Sequence, residues 1–306
     1  MNNTDDYQNI LFNVNFISTS TLTVICLIGN PLIIYIFLKP EFQKVPMFNY
    51  LIALAVVNTI HLLINWPLLY PNSFLINQNS ISCKLFNFIV VVPFEIAPWL
   101  LTLSSADRYL SVKYPTTQQT RKKFINQFSA IMFVTVITLL INVPNFVYHD
   151  IEHGSGCTST SDDIKFKMDM FTLLFATLVP FVLMVLSTTL IWNELVKKRH
   201  KLGSEREERA KYRKEVKLIR ILSIIDGYFL VCNLPYGFVI ILDYLGMISF
   251  PLISFSISRI FAYIFSSCDF FVYFCFNKLF RKHFLAIIRF NYKKLQHKQV
   301  KYQLDK

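Results

Sequence analysis

The chain has 306 residues, of which 54% are hydrophobic and only 16% charged, with a formal net charge of +12. Soluble domains sit nearer roughly 45–50% apolar, so much of this chain is built for a lipid solvent. Its basic residues lie between long apolar runs rather than along one polar face, which excludes nucleic acid as the partner. The 7 glycines form no phosphate-cradling loop, and the 6 cysteines show no metal-ligand spacing, so no cofactor is implied.

A helix crosses the hydrocarbon core in about 20 residues. Seven stretches reach that length, at 16–38, 48–71, 82–112, 124–148, 167–196, 216–243 and 250–275. The reading is an all-α membrane protein: a seven-transmembrane helix bundle with a short C-terminal amphipathic helix. Residues 1–15 form a polar extracellular N-terminus, 16–275 the bundle, and 276–306 the amphipathic helix and a basic cytoplasmic tail. The first run lacks a preceding basic segment, so it reads as a retained span rather than a cleaved signal.

Orientation follows from basic residues in the short loops. Lys39, Lys44, Lys113, Arg121 to Lys123, the run from Lys197 to Lys217 and the tail from Lys278 fall on one side. Asp5, Asp6, Asp150, Glu152, Asp162 and Asp163 fall on the other. The basic side is expected to be cytoplasmic, facing anionic membrane lipid, with the N-terminus outside. Asn2-Asn3-Thr4 is then a glycosylation sequon on the outer end, acceptor Asn2.

Polar and helix-breaking residues mark the spans. The first holds Gly29-Asn30 and the second holds Asn58 and, near its end, Trp66-Pro67. The third holds Cys83, Pro93, Glu95 and Pro98, and ends in Asp107-Arg108-Tyr109. Pro180 interrupts the fifth. The sixth begins near Glu215 and carries Asp226, Phe229, Cys232, Asn233, Pro235 and Tyr236. The seventh carries Arg259 and Asp269-Phe270-Phe271-Val272-Tyr273. Ionisable residues inside a membrane are costly and tend to be paired or functional. A helix-interior Pro deletes one backbone hydrogen bond and kinks the helix. A kink at Pro235 lets the cytoplasmic half of the sixth span swing while its outer half stays near a ligand. Beyond the seventh span, Leu279, Phe280, Phe284, Leu285, Ile287, Ile288 and Phe290 recur at helical spacing among basic residues, as in an interfacial helix.

These landmarks resemble those of rhodopsin-like G-protein-coupled receptors, in a divergent form. The resemblance implies a disulfide between Cys83 and Cys157. Cys83 lies about 36 Å along the helix from Asp107, which matches the family's arrangement. It implies that Arg108 of the Asp107-Arg108-Tyr109 triplet reaches a G protein, and that Glu215, about 30 Å below Pro235, pairs with Arg108 as an inactive-state latch. Pro180, Phe229, Cys232, Asn233, Pro235, Asp269 and Tyr273 fall on the family's hinge and relay. Asn30, Asn58 and Asp269 fall on its interior polar network.

Several positions depart from the family pattern. Asn58 stands where the family has Asp and Asp269 where it has Asn, a reciprocal exchange that keeps one carboxylate but puts the usual sodium pocket in doubt. Asn233 replaces a Trp, Thr188 a Tyr and Phe270 a Pro. Asp226 has no counterpart in this reading. Trp66, Val90, Phe94, Glu95, Tyr236, Asp243, Arg259 and Tyr263 are expected to line an extracellular ligand cavity. Glu95 and Arg259 either pair with each other or receive charged ligand groups. Trp66-Pro67 and the acidic outer loop favour a peptide ligand, cationic or amidated; a chemosensory small molecule is the alternative. No Lys stands in the seventh span for a retinal Schiff base. A transporter would show inverted repeats, and an enzyme a clustered acid–base pair; neither pattern occurs.

Overall fold

The computed structural model describes residues 2–66, 79–114, 122–152, 156–200, 206–248 and 251–289. The tail beyond 289, Pro67, Arg121 and the side chain of Asn2 lie outside the described residues, as does the glycosylation expectation that rests on Asn2.

Helix α1 runs Asn2–Phe37, α2 Pro40–Gln43, α3 Met47–Asn65, α4 Ser80–Lys113 and α5 Lys122–Ile141, followed by a short α6, Val143–Val147. Strands β1 (His149–Glu152) and β2 (Gly156–Ser159) follow, then α7 (Asp162–Thr172). The π-helical turn Leu173–Leu178 joins α7 to α8 (Val179–His200). Helices α9 (Arg206–Tyr244), α10 (Pro251–Phe276) and α11 (278–289) complete the described chain.

Six of these segments are long and apolar enough to cross a membrane, and the apolar stretch Gln127–Ile141 of α5 is a shorter one. Taken in order, α1, α3, α4, α5, α7–α8, α9 and α10 are the seven spans. The first begins well before residue 16, because no Pro or Gly stands in the first turns to stop it. The second is described as far as Trp66, whose backbone is still helical at φ −59 and ψ −48; its expected continuation to 71 lies outside the described residues. The fourth, expected to continue to 148, breaks at Asn142, which leaves helical geometry at φ −85 and ψ 1. Pro144 lacks an N–H and restarts the chain as α6. The antiparallel hairpin β1–β2, pairing Ile151 with Cys157, is an element the helical periodicity did not signal.

The outward faces are apolar: Phe133 is 68% and Val231 67% exposed. Such faces are tolerated in lipid and not in water. α4 is the central strut, packing on α3, α5, α8 and α9. α1 packs on α3 and α10, and Gly29 permits it, since a Cβ there would stand 3.0 Å from the Cβ of Phe270. The expected amphipathic helix is present as α11. Asn277 Oδ1 caps it by accepting from the Leu279 and Phe280 amides, both at 3.1 Å. Phe280 is buried against Phe37 and Tyr273, and the partly buried Phe284 packs on Phe270 and Phe274.

Candidate functional site

At the hairpin end of the bundle, Cys83 and Cys157 form a disulfide with Cα atoms 5.5 Å apart. It pins β2 to the start of α4, and Asn87 Nδ2 lies 3.0 Å from Cys157 Sγ. Lys84 Nζ stands 3.6 Å from Asp150. Hydrogen bonds from Ser80 and the Ile151 amide, with Lys84 beside them, hold the Asp150 carboxyl below the usual range. Burial pushes the nearby His149 imidazole down.

Below the hairpin, α3, α4, α9 and α10 bring aromatic rings together. Phe94 stacks edge-on with Tyr236 at 6.0 Å, and His61 packs on Phe94 and Tyr263 at 5.8 and 5.6 Å. Tyr263 donates to Asn65 Oδ1 at 3.1 Å, and His61 Nδ1 meets Ser266 Oγ at 3.2 Å. The floor beneath is a void of about 10 Å³ between His61, Phe94, Asn233 and Ser266, about one water in size. Val90 and Asp243 are half-buried and Arg259 is exposed.

Two residues expected in this cavity are elsewhere. Trp66 is 39% exposed and its Nε1 donates to Ser20 Oγ at 3.0 Å, so it braces α1. Glu95 is turned away, 0% exposed, and its carboxylate accepts from Asn142 Nδ2 and from Thr172 Oγ1. The expected Glu95–Arg259 pair therefore does not form. The helical period places Glu95 on the α5 and α7 side of α4, where two polar neighbours satisfy it.

In the centre, Asn58 Nδ2 donates to Asp269 Oδ2 at 3.0 Å. Asn30 Nδ2 lies within reach of Cys26 Sγ, Ala55 O and Thr59 Oγ1 at 3.0, 3.2 and 3.1 Å, and of Ser266 O at 3.4 Å. The three residues that sequence assigned to one polar network thus join the first, second and seventh spans. Phe229 packs against Phe265 at 5.4 Å, and Asn233 donates to Phe229 O at 2.9 Å within its own helix. Cys232 is buried in the same core.

The opposite end is closed. Arg108 is only 6% exposed. Val112, Ile191, Leu195 and Ile219 form a buried apolar seal between α4, α8 and α9. Tyr273 is buried with its ring 4.9 Å from Phe37, and Tyr109 accepts from Lys113 at 2.9 Å. The expected Arg108–Glu215 latch is not within ion-pair distance. Glu215 lies 3.5 Å from Lys198 instead, because α8 ends in a basic turn that brings a nearer cation.

Asp226, which sequence reasoning left without a role, supplies a junction here. Its Oδ2 accepts from Ser105 Oγ at 3.3 Å and from Thr188 Oγ1 at 3.2 Å. One carboxylate on α9 so ties α4 and α8 together. Thr188, standing where the family pattern has Tyr, is its partner. The signal in the sequence was a carboxylate on one span facing one hydroxyl on each of two others, where Ser104-Ser105 and Ser187-Thr188-Thr189 offer several, a pattern with no local spacing to reveal it.

A closed helix bundle with a disulfide-pinned hairpin at one end and an Asp-Arg-Tyr triplet with its Arg buried at the other defines a multi-pass membrane receptor. Residues 29–274 match the family described as "7 transmembrane receptor (rhodopsin family)". The chain belongs to that family. It is 26% identical over 215 residues to galanin receptor 2b of Danio rerio, covering 68% of this chain and 56% of that protein. It is 25% identical over 219 residues to galanin receptor type 2 of Mus musculus (68% and 57%). The C-C chemokine receptor type 6 of Homo sapiens is 24% identical over 238 residues (74% and 60%). The matched segments span less than two thirds of the length of these relatives.

Proposed function

We propose that this chain is a cell-surface receptor that binds an extracellular peptide and activates a heterotrimeric G protein through movement of α9. The observation that carries it is the junction around Asp226, lying between a seal at Val112, Ile191, Leu195 and Ile219 and the helix-interior Pro235, which we read as the hinge. A ligand that prefers the open arrangement shifts a two-state equilibrium, and the Asp226 bonds and the seal must both break as the lower half of α9 leaves α4 and α8. Arg108, buried when closed, is then exposed to the G protein. Glu215 restrains α9 through Lys198 rather than through Arg108.

The ligand site in this reading is the aromatic floor at Phe94, Tyr236 and Tyr263, roofed by the disulfide-held hairpin, with Val90, Asp243 and Arg259 on its walls. Relatives named as galanin receptors favour a peptide. A small molecule is the second reading, supported by similarity to a protein named as a uracil nucleotide/cysteinyl leukotriene receptor of Homo sapiens, 25% identical over 228 residues. In both, the hairpin end faces outside and the Arg108 end, rich in Lys, faces the cytoplasm at the plasma membrane.

The test is expression with a promiscuous G-protein reporter, challenged with a peptide library and then a small-molecule library. A response to a peptide that Arg108→Ala abolishes is the expected result. A response that survives Arg108→Ala at equal surface expression overturns the coupling mechanism.

A further inference from the structure

A groove of about 490 Å³ opens between α5–α6 and α7, away from the aromatic floor around Tyr236. That volume lies within the roughly 300–1,000 Å³ of small-molecule sites. Its walls are apolar, with Ile141, Pro144, Met168 and Phe171, and its polar floor includes Asn142 and Thr172. Those two floor residues are the ones that hold Glu95.

The polarity of the floor selects the ligand. Thr172 has spent its only hydrogen on Glu95 Oε1 at 3.0 Å, so its oxygen can offer a newcomer only lone pairs. Immediately behind it stands the buried Glu95 carboxylate, which has no cation within ion-pair distance among the described residues. The one cation in the groove's lining, Lys167, pairs with Asp163 at 2.6 Å, both side chains exposed. A group entering the groove thus meets an acceptor backed by a carboxylate, between apolar walls. Phe171, in the groove's wall, is exposed at the protein surface.

We propose that this groove is a second ligand site, separate from the floor at Tyr236, which takes a small lipophilic amine as its cation. The ammonium donates to Thr172 Oγ1 and is neutralised by Glu95; the chain lies along Met168 and Phe171. The site is also mechanically placed. Thr172 is followed directly by the π-helical turn Leu173–Leu178, a feature that often marks functional sites. Leu173 fills the gap left by Gly237 on α9, since a Cβ there would stand 2.5 Å from Leu173 Cδ1. Gly237 lies just beyond the hinge at Pro235. A ligand that shifts Thr172 therefore bears on α9 above its hinge.

The experiment uses the full chain in lipid nanodiscs and does not depend on G-protein coupling. Dodecylamine carrying a chain diazirine is photolysed with the receptor, alongside the matching dodecanol and dodecanoic acid probes, and labelled peptides are mapped by mass spectrometry. Saturable labelling of the peptide containing Met168 and Phe171 by the amine is expected, competed by unlabelled dodecylamine. Glu95→Gln should weaken it by about tenfold or more, because the carboxylate that offsets the ammonium's charge is lost while the bond to Thr172 Oγ1 remains. Met168→Trp, which fills the groove without touching Glu95, should abolish it. Equal labelling by the alcohol or the acid overturns the proposal. So does undiminished amine labelling in a Glu95→Gln receptor that melts at the wild-type temperature. Should Glu95→Gln not fold, Met168→Trp and the amine-to-alcohol comparison decide, and labelling that persists in Met168→Trp counts against the site.

Discussion

Removal of the Asp226 carboxylate should switch the receptor partly on. In the closed structure Asp226 accepts two hydroxyl bonds that link α9 to α4 and α8, at 3.3 and 3.2 Å. Bonds to a charged group contribute about 1.5–3 kcal/mol each when short, but hydroxyl–carboxylate bonds are strongest near about 2.5–2.7 Å. These longer ones are taken at about 1 kcal/mol each. If both are lost on opening, Asp226→Ala removes about 2 kcal/mol from the closed state, a shift of about 30-fold. An open share of about 1% would rise to about a quarter. The assay is ligand-independent G-protein signalling, normalised to surface expression. Asp226→Asn keeps an oxygen for both hydroxyls and should stay near wild type, and Ser105→Ala with Thr188→Val should reproduce most of the Asp226→Ala effect. Basal signalling unchanged in Asp226→Ala, or equal in Asp226→Asn and Asp226→Ala, refutes the junction as a closed-state restraint.

Other outcomes follow from the same geometry. Exchange of the buried pair, Asn58→Asp with Asp269→Asn, should signal better than Asn58→Asp alone, which would place two carboxylates about 3 Å apart; equal failure of the single and double variants in the reporter assay removes the idea of a reciprocal exchange. Cys83→Ser should lower the melting temperature and ligand binding together. Its cross-link closes a 74-residue separation, worth at most about 4 kcal/mol by chain entropy because the spans already constrain the loop; an unchanged melting curve would show the hairpin held by β1–β2 alone. Gly237→Ala should cost about 1 kcal/mol by crowding Leu173 and cost less on a Leu173→Ala background, measured as a double-mutant cycle in melting; strict additivity would show that the two do not touch in the folded receptor. Glu215→Gln, relieved of its contact with Lys198, should change basal signalling less than Asp226→Ala does, since the Lys198 pair is partly exposed and worth little; a larger effect would restore Glu215 as the main restraint.

Much of the bundle was legible because the solvent is lipid. A span must satisfy its own backbone, so long apolar runs separated by charge can only be helices. That constraint located all seven spans, and periodicity with a basic stripe located α11. The Cys83–Cys157 disulfide and the Asn58–Asp269 contact came through resemblance to the family pattern, and the structure forms both. The misplacements have one cause. Trp66, Glu95 and Glu215 were assigned by depth along a helix, which sequence reports well at about 1.5 Å per residue. Their partners were set by direction around the helix, which one-dimensional spacing reports poorly where every face is apolar.

The sequence by itself determined the lipid solvent, the number of crossings and the family, because composition, span length and the Asp107-Arg108-Tyr109 triplet are local facts. The tertiary structure alone decided which buried carboxylate meets which hydroxyl. Glu95 found Asn142 and Thr172, and Asp226 found Ser105 and Thr188, only because packing α4 against α3, α5, α8 and α9 chose one rotation for each helix. A carboxylate buried away from water must be met there by hydrogen-bond donors, and no pattern within a single span records which neighbour supplies them.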